Sequence, residues 1–479
     1  MKEKDNASDA RKSVNVKSHN FKYTSRRRVR RSIVPPSVPK SERVFTPLQA
    51  QEIRRLTIDK IGYVSTAKKV EQQRMRSLKA RRTLALKPAP TPPTAPKGKL
   101  AKETHKIAGV VAKHLSQLDY IFFFAAVAIA VIGIFAVHSA TLSRSNPVKY
   151  DIMEIGCFVI GVGAMLGLSM VDYSGISRYT KYIIGINILL CIYTLIFGYS
   201  IIGDNNRNWI NVFGIGVQPA EFSKVLFILS LSSHLQNLGD RINNFKGIVP
   251  LFCHGLLIIS LVLLQGDLGN TTVFIAIFVF MCFAAKLSLW YFGAAVGITV
   301  IASPIIWQNL AVYQKNRILV GFNPDLDPLG KGYQVIRSRN AIASGGIFGK
   351  GYTKGYVTQH PRALFAKESD MIFGTIGEEG GLIACVALIV LFTVLIYRII
   401  KISLTSKDSM GTYICAGVAG MFAYQFILNV GMCMGNLPVV GITLPLVSYG
   451  GSSLISCYAA LALVLSVYAN SNRYAFRKK

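Results

Sequence analysis

"ESDMIFGTIGEEGG" (368–381) runs directly into "LIACVALIVLFTVLIYRII" (382–400). The second stretch is nineteen residues with a single charge, and as a helix it nearly crosses a hydrocarbon layer about 30 Å thick. The first stretch places Glu368, Asp370, Glu378 and Glu379 at the mouth of that helix. A charge inside a bilayer is costly and usually functional, so these acids are either the wet end of a membrane helix or a site. At about 100° and 1.5 Å per residue, Gly374, Gly377 and Gly381 lie within about 40° of the Asp370 face. Glu378 is about 12 Å deeper and turned about 80° away, with Glu379 on the opposite face. The spacing predicts that Asp370, with Glu368 beside it, meets a substrate, while Glu378 and Glu379 are buried network residues or helix anchors. The glycines let a neighbouring helix or a lipid approach closely.

The same material recurs along the chain. Long apolar runs alternate with polar connections, and hydrophobic residues make up 51% of 479. Ten candidate spans fall at 118–140, 151–172, 181–203, 219–237, 247–265, 270–286, 288–309, 371–397, 411–433 and 446–469. The expected fold is an all-α polytopic membrane protein with ten transmembrane helices. Residues 1–115 are different: they hold 29 of the 54 Lys+Arg and 8 of the 23 Asp+Glu, with "TSRRRVRRS" at 24–32 and "KPAPTPPTAPKGK" at 87–99. High charge with little to bury predicts a largely disordered cytoplasmic tail, with a basic helix over 48–87 lying on anionic lipid. A nucleic-acid role is set aside because aromatics are nearly absent there and the chain is held at a membrane. The expected domains are thus the tail, 1–115, and a membrane domain, 116–479.

Lys and Arg set the orientation. With the tail inside, the inner connections carry Arg178, Lys181, Arg241, Lys246, Lys401, Lys407 and the terminal "RYAFRKK", so both termini are expected in the cytoplasm. The exception is the large extracytoplasmic loop between helices 7 and 8, residues 310–370. It holds nine Lys/Arg (Lys315, Arg317, Lys331, Arg337, Arg339, Lys350, Lys354, Arg362 and Lys367). An outward basic surface beside the membrane suits a polyanionic lipid headgroup such as a pyrophosphate. Its "SGGIFGKG" glycines follow no strand and lack the Lys-Ser/Thr ending of a phosphate loop, so a turn or an anion-cradling nest is expected.

Further polar groups converge on the same leaflet. "GDNNRNWINVFGIGVQPAEFSK" (203–224) leads into the fourth span, with Arg207 and Gln218 ahead of Pro219. Pro suits a first helical turn, and Glu221 and Lys224, at i and i+3, are within pairing reach. A structural ion pair and a substrate site both fit them, and the outward mouth favours the site. "GITLPLVSYGGSSL" (441–454) carries Pro445, Ser448, Tyr449 and Ser452 into the last span, a helix-breaking run that needs protein or water around it. The eight cysteines and seven histidines show no metal-ligand spacing, and no Ser/His/Asp triad has supporting context.

"QPAEFSK", "NPDLDPLGKGYQ", "AIASGGIFGKGY", "SDMIFGTIGEE" and "LPLVSYGGSSL" occur in this order in residues 118–470. Together they resemble the RodA/FtsW family, named SEDS for shape, elongation, division and sporulation. The resemblance implies a ten-helix peptidoglycan glycosyltransferase at the outer face of the bacterial inner membrane. It further implies lipid II as substrate and a class B penicillin-binding protein as partner. The family's essential acid falls on Asp370, the expected catalytic residue. Glu221, Lys224, Arg207, Gln218, Lys350, Ser448, Tyr449 and Ser452 are the expected substrate-binding residues. No cofactor is firmly implied, although a divalent cation (Mg2+ or Mn2+) would suit the leaving pyrophosphate. A lipid II flippase and a non-catalytic scaffold for the penicillin-binding protein are the alternatives. The chain departs from the pattern at "LFAKESD" (364–370), where Leu-Pro-Glu is frequent, and at Gly266 of "QGDLGN", where Pro is usual. Both departures bear on loop geometry.

Overall fold

The computed structural model describes residues 71–77, 118–200, 206–212, 214–309, 312–330 and 332–477. Contacts divide the chain after Lys97. Of the basic tail, 71–77 is helical; the expectations of disorder and of a basic helix over 48–87 otherwise lie outside the described residues.

The remaining chain is mostly helical: α1 (Tyr120–Thr141), α2 (Pro147–Leu168), α3 (Thr180–Phe197), α4 (Pro219–Leu238), α5 (Phe245–Leu264), α6 (Leu268–Ala284) and α7 (Leu289–Asn309) precede the loop. Short helices α8 (Val312–Phe322), α9 (Gly332–Gly345) and α10 (Tyr356–Gln359) fold the loop itself. Then come α11 (Ile372–Leu404), α12 (Ser409–Cys433) and α13 (Gly451–Arg477). A two-stranded antiparallel hairpin, β1 (Ile210–Val212) and β2 (Ile215–Val217), sits between α3 and α4. Among the described residues, seven helices are long and apolar enough to cross a membrane: α1, α2, α3 with the turn before it, α5, α11, α12 and α13. Two shorter apolar helices, Leu268–Ala284 and Leu289–Ile305, accompany them. α4 has twenty residues but is too polar for the same class, because Ser230, Ser232, Ser233 and His234 interrupt its apolar side chains.

α12 and α13 form the centre. α13 packs on α2 and α4, while α12 packs on α4, α6 and α11. α7 leaves Trp290, Val296, Ile298, Val300, Ile301 and Ile305 exposed, the surface expected of a helix surrounded by acyl chains. At the other end of α1 from the loop, Arg398 of α11 donates to Asp119, whose second oxygen also caps α1 through the Phe122 amide. One carboxylate thereby starts α1 and ties it to α11.

Two boundaries differ from the sequence expectation. The last helix begins at Gly451 rather than 446, because Leu446 adopts φ +64° and 444–450 form turns. The eighth expected span continues to Leu404, but not as one regular helix. Gly381 has φ 63° and ψ −162°, a region essentially restricted to glycine. The "SGGIFGKG" loop lies against that break and takes over the hydrogen bonding: Lys350 and Gly351 amides donate to the Glu378 and Glu379 carbonyls, and Leu382 and Ile383 amides donate to Gly346 and Ile347. A Cβ on Gly381 would overlap the Gly349 amide. The expected turn is therefore a backbone patch on an interrupted helix, and it pairs the Lys350, Gly351, Leu382 and Ile383 amides across the break.

Candidate functional site

Pro219 opens α4 as its first residue, and Glu221 and Lys224 follow within one turn. Their side chains pair at 2.8 Å, with Lys224 1% and Glu221 3% exposed. Ser456 of α13 donates to the second Glu221 oxygen at 3.1 Å. An ion pair this dry persists only when both charges are matched. The pair thus binds α4 to α13 from within, and neither group is at the surface.

Around it runs a polar layer centred on Asp267, the N-cap of α6. One Asp267 oxygen accepts from the Asn270 amide, and the other from Gln218 Nε2 at 2.7 Å, Asn208 Nδ2 at 3.3 Å and Asn270 Nδ2 at 3.0 Å. The Gln218 amide donates to Ser452 Oγ at 3.3 Å. Gly266 sits at φ +80° beside Asn206, a value closed to proline, so the departure there reflects a different turn. Arg207 is exposed, and its guanidinium reaches the Leu195 carbonyl at 3.4 Å.

Asp370 is half-buried just before α11. Two elements hold its backbone. Asn429 Nδ2 of α12 donates to the Asp370 carbonyl at 2.9 Å and to Ile442 O at 2.7 Å. From the re-entrant segment, Ser448 Oγ donates to Ser369 O at 2.7 Å, and the Tyr449 amide donates to Glu368 O at 2.8 Å. The Ser448 hydroxyl also accepts from the Leu444 amide, so it is committed to structure. The Tyr449 ring packs on Tyr150, with centroids 4.9 Å apart. Gly441 faces the Asp370 carboxylate, since a Cβ there would lie 3.5 Å from Oδ2. Glu368 pairs with Arg144 of the α1–α2 turn at 2.7 Å.

Below Asp370 the other acids are internal. Glu378 is 1% exposed; it accepts from Lys350 Nζ at 2.6 Å and caps α10 through the Tyr356 and Val357 amides, each at 2.9 Å. Glu379 accepts from Ser139 of α1 and Thr358 of α10. Gly374 and Gly377 lie directly under Ser338 and Ile342 of α9, so the helix their small size admits is α9. Lys350 is therefore the counter-ion of Glu378.

Sequence reasoning missed Lys367, one of nine loop cations by composition. It is fully buried and donates to Ser143 Oγ, Val357 O and Thr358 O at 2.7, 2.8 and 3.2 Å. Burial, with Arg144 nearby, pushes its ammonium down to about 8. This residue stands in the departed "LFAKESD" stretch. The signal was a lysine standing where the family's turn is expected, directly before Glu368, which pairs with Arg144.

Four elements thus meet at one end of the bundle: the α4 start, the α6 cap, the Asp370 segment and the 441–452 re-entrant run. Arg207, Lys354 and Arg362 are exposed, and the last two have no ion-pair partner among the described residues. No group of three or more His, Cys, Asp or Glu among the described residues is arranged to hold a metal ion.

Residues 118–473 match the FtsW/RodA/SpoVE family, described as "Cell cycle protein". The chain belongs to that family. Among the curated proteins, the FtsW/RodA/SpoVE relatives include Stage V sporulation protein E of Bacillus subtilis (strain 168). It is 34% identical over 311 residues, covering 64% of this chain and 84% of that protein. The peptidoglycan glycosyltransferase RodA of Treponema pallidum (strain Nichols) is 31% identical over 433 residues, covering 74% and 98%. Among solved structures, a chain from a peptidoglycan synthase complex, described as coordinating polymerization and crosslinking, superposes with a TM-score of 0.63 at 27% identity. The match covers 74% of this chain and 98% of that one. The crystal structure of Thermus thermophilus RodA gives 0.54 at 25% identity, covering 73% and 96%.

Proposed function

We propose that this FtsW/RodA/SpoVE protein is a peptidoglycan glycosyltransferase that polymerises lipid II at the outer face of the bacterial cytoplasmic membrane. Curated relatives carry that activity in their names. The observation that carries the reading is Asp370, half-buried and braced through its backbone by α12 and the re-entrant segment. In this reading α4, α6 and α7 complete ten spans with the seven long apolar helices, 310–370 is extracytoplasmic, and both termini are cytoplasmic.

Asp370 acts as general base. Its carboxylate removes the proton from the 4-hydroxyl of the acceptor's N-acetylglucosamine, and that oxygen attacks C1 of the donor's N-acetylmuramic acid. The bond from C1 to undecaprenyl pyrophosphate breaks, and the pyrophosphate leaves with the electron pair, so an α-linked donor gives a β-linked product. A positioned base contributes about 10²–10⁴-fold. Lys224 and Lys350 are each matched by a carboxylate. Leaving-group charge therefore falls to the exposed Arg207, Lys354 and Arg362, and Glu221 and Lys224 hold the α4 wall. Supported by the synthase-complex relative, the partner is a class B penicillin-binding protein that crosslinks the product.

The test is polymerisation of labelled lipid II by the purified full chain, with and without a class B partner. Glycan strands that vanish in Asp370→Ala support the assignment. No strands in either condition would point instead to lipid transport or scaffolding, and a lipid-flipping assay would follow.

A further inference from the structure

About 20 Å along α4 from Glu221, thirteen residues on at 1.5 Å each, lies a polar group the transfer reaction does not use. A cavity of about 570 Å³ opens there between α3, α4 and α5, with Arg178, Lys181, His234 and His254 in its wall and Ile184 and Leu257 as its apolar part. No carboxylate of the described residues lines it. Arg178 and Lys181 are exposed and have no ion-pair partner among the described residues. The two imidazoles touch, with Nδ1 atoms 3.2 Å apart, and Ser230 approaches His254 Nε2 at 3.3 Å. This fixes the rings in the wall. Its wall runs from the 3-10 turn before α3, at Ser177 and Arg178, into the first residues of α3, Thr180 and Lys181.

Two cations without an ion-pair partner and an imidazole pair, around a space that no carboxylate of the described residues lines, complement a phosphate-bearing anion. The apolar part says more about its source. Beyond the cavity both helices expose apolar side chains: Leu264, two turns on, shares the Leu257 face of α5, and Ile186 and Leu189 are exposed on α3. A free phosphate has no use for such a surface, whereas acyl chains cover it. Basic pockets between membrane helices are known acceptors of lipid headgroups.

We propose that this cavity binds the phosphate headgroup of an anionic membrane lipid, with its acyl chains along α3 and α5. On the orientation proposed above it faces the cytoplasmic leaflet. The cavity and Asp370 are then separate sites on opposite leaflets, one for a structural lipid and one for the substrate.

The test uses the full chain, delipidated in detergent, and native mass spectrometry of retained lipid on titration with phosphatidylglycerol, phosphatidylcholine or inorganic phosphate. Phosphatidylglycerol should be retained over phosphatidylcholine. Arg178→Gln/Lys181→Gln should weaken its binding about thirtyfold, taking about fivefold per surface cation. Lys246→Gln, a cation of α5 absent from the cavity wall, should leave it unchanged. Where the double variant melts early, Lys181→Gln alone carries the comparison, at about fivefold. Equal retention of the two lipids, or undiminished retention by the double variant, overturns the site. Inorganic phosphate binding as tightly as the lipid would overturn the lipid assignment. Glycan synthesis is not the readout, so failure here leaves the transferase reading standing, and the reverse also holds.

Discussion

The two halves of α11 are made of the same chain and meet different demands. From Ile372 to Glu379 every residue is buried, and every acid has a protein partner. Beyond Gly381 the helix alternates between the core side, Cys385, Leu388, Phe392 and Leu395, and an exposed side of Leu382, Ile383, Val386 and Val390. The first half is packed by glycines under α9 and by carboxylates that cap α10. The second is an ordinary amphipathic pattern with lipid in place of water. Polarity in a membrane helix thus follows what surrounds it, not its depth alone.

Substitutions can break that contrast. The largest effect should come from Asp370→Asn, which keeps the shape and removes the base; polymerisation should fall by about 10²–10⁴-fold with the melting temperature unchanged. Near-normal strand synthesis would remove Asp370 from the mechanism. Glu378→Ala strands Lys350 and leaves the α10 amides uncapped, a loss of about 3–5 kcal/mol visible as a lower melting temperature. Gly381→Ala should cost about 3 kcal/mol, since it forces a side chain into a glycine-only region against Gly349. A variant as stable as the wild type would mean that the break is not needed.

Lys367 offers a smaller effect with a definite sign. Its folded value near 8 lies below the ordinary 10.5, so between those values the unfolded chain holds a proton that the native protein has released. Stability therefore rises with pH across about 8 to 10.5 and is lower below it. Thermal melts of wild type against Lys367→Gln over that range should diverge, and parallel curves would contradict the assignment. Smallest of all, Val390→Ala on the exposed half of α11 should change stability by less than about 0.5 kcal/mol.

Much of this was legible in the residues. The order of the acids puts Asp370 at the mouth and Glu378 and Glu379 inside, although Asp370 precedes the helix and a wheel drawn from it does not apply; Glu221 with Lys224 announces its own pairing. The glycines at 374 and 377 signalled close packing without naming α9. What was not legible depends on distant chain. The break at Gly381 needs 346–351 to repair it, and a helical wheel assumes no break. Lys367 reads as one more loop cation because its three acceptors come from Ser143, Val357 and Thr358. Lys350 reads as a substrate ligand until Glu378 is seen beneath it.

Asn429 holds the Asp370 carbonyl and the Ile442 carbonyl with one amide group. Ser448 and the Tyr449 amide bind the same two segments to each other from the far end of the re-entrant run. The backbone that carries the acid is therefore clamped on both sides of residue 370, and a substitution at Asn429 alone would leave one clamp in place.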